Sequence, residues 1–149
     1  MSLDEWEYTP NIRVFEYTGS KKDGSKKAWN AAHNWVADTY YLSYDSQYLI
    51  DCTGEIGRCD YDISSWEIKT CHVDSGFYLL KQRQHKILQS VDGGYIFVLL
   101  REDESSPLWY VEDVIFRPAE VVDEYITGWH DNPSRFYSQT WVSADTVTP

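Results

Sequence analysis

Basic residues are scarce in this chain. Thirteen Lys and Arg stand against twenty-four Asp and Glu among 149 residues, for a formal net charge of −11. Such a balance argues against holding nucleic acid by bulk attraction. Asp also outnumbers Glu, a surface composition that suits solubility in concentrated salt, as in a salt-loving host, where counterion release adds little to DNA binding. Long apolar runs are missing too, and the opening Met1-Ser2-Leu3-Asp4-Glu5-Trp6 has neither the basic nor the apolar part of a signal peptide. A cytoplasmic protein with no membrane partner is the expectation. Cys52, Cys59 and Cys71 offer no C-x-x-C clip, so reduced thiols are expected rather than disulfides. A zinc site formed from them with His72 is disfavoured, because Cys59 and Cys71 fall on opposite faces of the hairpin described next.

What the chain has in plenty is aromatic surface: seven Trp and twelve Tyr, with aromatics at 16% overall. Disorder over most of the length is therefore not expected. The length suits a single domain burying about 68–70% of its unfolded surface, with residues 1–10 and 143–149 as irregular tails. Residues 57–71 alternate polar with apolar on both sides of Ser64-Ser65, which predicts two half-buried strands joined by a short turn. In that register Asp62 faces Glu67 and Asp60 faces Lys69, while Tyr61, Ile63, Trp66 and Ile68 point the other way. Two carboxylates with Cβ atoms roughly 5 Å apart repel by about 3 kcal/mol at an effective dielectric of about 20. A divalent cation turns that cost into a gain. Mg²⁺ binds through one or two carboxylates, keeps several waters and suits phosphate substrates. Lys69, on the same face, is placed to orient an attacking water or to stabilise charge developing on a phosphate.

These residues resemble the PD-(D/E)XK nuclease superfamily, in which an Asp precedes an acidic-x-Lys triplet on adjacent strands. The triplet here is Glu67-Ile68-Lys69, and the leading acid is assigned to Asp60, with six residues intervening before Glu67, an interval like that of the mismatch-repair nicking branch. Asp62 is nearer than the usual spacing, whereas Asp51, with fifteen residues intervening, fits commoner ones. Both are kept as alternatives. The resemblance covers roughly residues 26–100.

Around this centre, residues 11–17 read as a strand, and residues 18–27, with two Gly and four Lys, as a basic loop able to touch phosphates. A helix capped by Ser25 and running to about Asp38 carries Trp29, Ala32 and Val36 at helical spacing. Many relatives place a Glu on this helix; here it has none, only Asn30, His33 and Asn34. His33 reads as a partly buried histidine satisfied by a neighbour rather than as catalytic. Residues 40–44 and 48–52 read as short strands around Tyr44-Asp45-Ser46. From residue 77 to about 91 a helical stripe joins Phe77, Leu80, Gln84, Ile87, Leu88 and Val91. Gln84 is a buried amide in need of partners, and the resemblance puts a Gln on this helix at the site. Residues 95–100 form a continuous apolar run suited to a strand covered on both faces, parallel to residues 66–71 through a crossover. An acidic turn over 101–107, strands at 108–111 and 114–116, a short helix over 119–126 and an edge strand over 136–142 complete the chain.

The expected fold is α/β, with a mixed central β-sheet flanked by helices, restriction-endonuclease-like. The resemblance implies Mg²⁺- or Mn²⁺-dependent hydrolysis of DNA, with RNA as the alternative substrate and homodimerisation open. It implies metal ligation by Asp60, Glu67 and the Ile68 carbonyl, with catalytic assistance from Lys69 and Gln84. Two other classes compete: a nuclease-fold binding or regulatory protein without catalysis, and an acidic DNA-mimic whose carboxylates never bind metal.

Overall fold

The computed structural model describes residues 14–16, 21–44, 50–57, 59, 61–102 and 108–148, with side chains throughout except at 14–16, 21–28, 30, 102 and 108. Strands β1 (Val14–Glu16), β2 (Ser43–Tyr44), β3 (Cys52–Thr53), β4 (Ser65–His72), β6 (Gly94–Glu102) and β7 (Leu108–Pro118) form a six-stranded sheet in the order β1-β7-β6-β4-β3-β2. Within it β4 and β6 are parallel, from Trp66↔Gly94 to His72↔Leu100, and every other pair is antiparallel. A second sheet sets β5 (Phe77–Lys81) beside β9 (Tyr137–Ser143) and β9 beside β8 (His130–Asn132). The fold is thus α/β with a mixed central sheet, as expected. Among the described residues no helix is long and apolar enough to cross a membrane.

The central sheet is covered on both faces, which explains the unbroken apolar run of β6. Ile96, Val98 and Leu100 join Trp66 and Ile68 against α1 (Lys21–Tyr40), from which Ala32, Val36 and Ala37 are buried. Tyr95 and Phe97 point the other way with Cys71. They meet Leu88 of α2 (Gln82–Ser90), Val122 of α3 (Ala119–Asp123), Val147 of α4 (Ala144–Val147) and the inner face of the second sheet. Helix α1 stops where Tyr41 turns left-handed at φ 58, and the Leu42 N–H caps the Ala37 carbonyl at 2.9 Å, a Schellman closure.

Several expected elements take other forms. Residues 77–81 are a strand rather than the start of a helix: Tyr78 and Leu80 are buried while Phe77 is exposed, a period of two rewarded by pairing with β9 some sixty residues on. The basic segment expected as a loop is helical from Lys21, and α1 runs through Tyr40, so residues 40–42 are not strand. A single strand, β7, replaces the pair at 108–111 and 114–116; a register shift opposite Leu99 and Leu100 accounts for the broken pattern. Strand β9 is central, not an edge, because β5 and β8 flank it. Residues 144–147, expected as tail, form α4, with Ser143 capping the Asp145 N–H and Val147 buried. The readings for residues 1–10, for most of 11–17 and of the 101–107 turn, and for Asp45 and Ser46 lie outside the described residues.

Candidate active site

The strand that meets β4 on its outer side is not the one expected. Cys52 pairs with Trp66 and Thr53 with Ser65, so the two-residue turn at Ser64-Ser65 and the pairing of Asp62 with Glu67 do not form; Asp60, the expected partner of Lys69, lies outside the described residues. A longer loop closes the hairpin instead, starting at Gly54 with φ 135. It is pinned by the Gly54 N–H donating to the Ser64 carbonyl at 2.9 Å and by Trp66 Nε1 donating to the Gly54 carbonyl at 3.0 Å. The alternation over 57–63 came from Ile63, and from Ile56 just before it, two side chains that loop residues bury in the core beside α1.

Continuing the β3–β4 register by one residue sets Asp51 across from Glu67, on the same face. Asp51 Oδ2 accepts the backbone N–H of Ile68 at 2.9 Å. Beyond Trp66 no strand pairs with the outer edge of β4 among the described residues, and Asp51 occupies the first part of that edge. Glu67 is only 2% exposed. Its pKa is pushed up to about 8, first by burial and then by the neighbouring Asp51, with Lys69 pulling the other way. Glu67 Oε2 is buried with no hydrogen-bond partner among the described residues; a proton on Glu67 relieves this by bridging to Asp51.

Lys69 Nζ lies 3.9 Å from Glu67 Oε1 and donates to Gln84 Oε1 at 2.7 Å. Burial lowers the lysine's pKa, while Glu67 and Asp51 raise it. Gln84 reaches the amine from the first turn of α2, whose start is fixed by the β5 strand leading into it. Four side chains named from the sequence therefore converge: Asp51, Glu67, Lys69 and Gln84. Asp60 lies outside the described residues. Asp62 is exposed and lines a separate cavity with Glu120 and Asp123, one that shares no residue with the cleft beside Lys69.

His33, expected to be a satisfied bystander, has its Nδ1 3.3 Å from the Tyr44 hydroxyl. It also lines the Lys69 cleft, and its pKa is lowered chiefly by burial, with Asp51 and Lys69 acting in opposite senses. Sequence reasoning missed Tyr95 altogether. In the parallel ladder it stands beside Glu67, and its hydroxyl lies 2.9 Å from Nδ1 of buried His85. The signal was present in the apolar run itself, where a phenol on a fully buried strand must find a partner. Cys52, Cys59 and Cys71 are free thiols, with burial raising Cys52 to about 12 and Cys71 to about 11.

Comparison with curated proteins and comparison with solved structures each returned no match. A family model describing a PD-(D/E)XK nuclease superfamily domain matches residues 19–148, a span that contains every element from α1 to α4. With Glu67-Ile68-Lys69 on a central strand and an aspartate beside it, the chain belongs to the PD-(D/E)XK nuclease superfamily.

Proposed function

We propose that the protein is a divalent-metal-dependent endonuclease that hydrolyses DNA phosphodiester bonds, with Asp51 rather than Asp60 as its leading acid. The observation that carries this is the Asp51 carboxylate seated on the Ile68 N–H at 2.9 Å, beside a Glu67 carboxylate whose Oε2 is buried without a partner among the described residues. An oxygen pair of this kind fits Mg²⁺ or Mn²⁺. Among the described residues no group of three or more His, Cys, Asp or Glu suits a metal, but Mg²⁺ is held by one or two carboxylates and keeps its waters. Asp51, Glu67 and the Ile68 carbonyl would hold it; in a strand that carbonyl faces the same edge as the N–H bound by Asp51. When bound, the cation supplies Lewis-acid polarisation of a phosphoryl oxygen and a more acidic water.

The chain's own groups do the rest. Gln84 accepts one Lys69 N–H and thereby orients the amine, leaving two donors for a phosphate oxygen or the attacking water. Burial makes the Lys69 amine easier to deprotonate; in its neutral form Nζ can take the proton of the water as its oxygen bonds to phosphorus, while the P–O bond to the leaving strand breaks and the departing oxygen takes a proton from solvent. Plasmid nicking with Mg²⁺ or Mn²⁺ tests this: wild type should nick, and Lys69→Ala and Asp51→Asn should each lose at least about 100-fold. Equal background in all three would end the enzymatic proposal. The two-carboxylate site also supports a second reading, a binding protein without catalysis, which would show calorimetric Ca²⁺ or Mn²⁺ binding and no nicking.

A further inference from the structure

The outer edge of β4 does not end in bulk solvent. It forms the floor of a cleft of about 1080 Å³, larger than most small-molecule pockets, with Lys69 on the floor. Trp29 of α1 stands on one wall, and on the other stands the outward face of the second sheet. The β5–β9 register, Leu79↔Trp141 and Phe77↔Ser143, puts Phe77, Leu79, Lys81 and Trp141 on that one face, opposite buried Tyr78, Leu80 and Val142. Three large aromatic side chains thus line one cleft while keeping substantial exposure: Trp29 at 42%, Phe77 at 52% and Trp141 at 55%.

Charge in the cleft runs against the rest of the molecule. In a chain of net charge −11, its described lining carries Lys69, Lys81 and Arg135 and not one carboxylate. Aromatic faces beside a few cations match a polyanion whose flat groups are free to stack. A duplex hides its base faces within its own stack and offers only edges and phosphates, so these rings would gain nothing from it; unpaired bases present a π-face whatever their identity. Three cations are also too few to hold a duplex against an overall negative field, but suffice for a short single strand.

The geometry points to a single-stranded segment of nucleic acid as the occupant, with bases stacked on Trp29, Phe77 and Trp141, phosphates met by Lys81 and Arg135, and the strand led to Lys69. This deepens the nuclease proposal and rests on it for the role of Lys69, but the binding itself can be tested apart from cleavage. The full chain, in EDTA, is titrated into fluorescently labelled twelve-residue single-stranded DNA, the same sequence as RNA, and a blunt DNA duplex. Single strands should bind at least about tenfold tighter than the duplex, with a log-log salt slope near −2 from three phosphate contacts. Trp141→Ala and Phe77→Ala should each weaken binding by roughly 5- to 100-fold, and Trp141→Phe should restore most of it. The DNA and RNA arms distinguish which sugar the cleft takes.

Equal or tighter duplex binding, or full affinity in both alanine variants, overturns the proposal. So does a sedimentation result in which Trp141→Ala only converts a dimer to a monomer, since a second copy of the chain would then be the occupant. Single-strand binding that needs Trp141, in a protein that never nicks, would remove the nuclease reading and leave the cleft assignment standing. Nicking that depends on Lys69 but ignores Phe77 and Trp141 would do the reverse.

Discussion

Glu67 is held in a place where its charge is unwelcome. Burial and Asp51 raise its carboxyl from the ordinary 4.5 to about 8, so the folded protein binds a proton there that the unfolded chain gives up. Stability therefore falls as pH rises between those two values and is undiminished below the lower one. Without metal, Glu67→Gln should raise Tm at pH 8 by about 3–6 °C, a gain that shrinks towards zero near pH 4.5. Melting curves in EDTA at both pH values check this, and an unchanged Tm at pH 8 would mean that the carboxylates do not crowd each other. Lys69 offers a second check. An Arg at that position keeps the positive charge but cannot release a proton and presents a different donor geometry. Lys69→Arg should therefore nick plasmid at least about 100-fold more slowly while retaining single-strand affinity, separating proton transfer from charge.

At the scale of elements, the site depends on how closely α2 and β4 approach. A Cβ on Gly93, at the junction of α2 and β6, would sit 2.8 Å from both the Ser65 carbonyl oxygen at the start of β4 and Leu88 Cδ2 of α2, and the carbonyl, being backbone, cannot swing aside. Gly93→Ala should cost about 2 kcal/mol, or roughly 4–8 °C of Tm, whereas Gly57→Ala, which meets nothing within 4 Å, should be near neutral. Elements whose environment is local were legible from the chain: β6, whose residues 95–100 are all apolar because both its faces are covered there, and its parallel partner carrying Glu67-Ile68-Lys69. Strand β5 was not, because Phe77 and Leu80 continue a helical stripe and only distant β9 decides between the two periods. The choice of leading acid turns on a related point. Ile63 alternates as a strand residue would, although a loop buries it, so the sequence favours the nearer Asp60, which lies outside the described residues, over an Asp51 whose place beside Glu67 depends on the longer closure through Gly54. Gln84 was read as an amide needing partners, a requirement that holds in either secondary structure, and Lys69 supplies one.

For the molecule as a whole, the surplus of acid makes metal binding and stability one problem. With a net charge of −11, any cation relieves general repulsion a little, so a rise in Tm on adding Ca²⁺ or Mg²⁺ is not by itself a sign of a site. A specific site behaves differently. At a free concentration 100 times its dissociation constant the ion stabilises the fold by about 2.7 kcal/mol, which for a chain of this size corresponds to roughly 5–10 °C. Diffuse screening is reproduced by NaCl at matched ionic strength and acts alike on every variant. The increment beyond the NaCl control should therefore appear in wild type, disappear in Asp51→Asn and in Glu67→Gln, survive in Asp62→Asn, and be reversed by EDTA. Asp62→Asn is the informative control, because it removes the same charge from the same hairpin region while touching a cavity apart from the Lys69 cleft. If its metal increment vanished as well, the cation would be sensing the field of the whole acidic surface and not the pair of carboxylates beside Ile68.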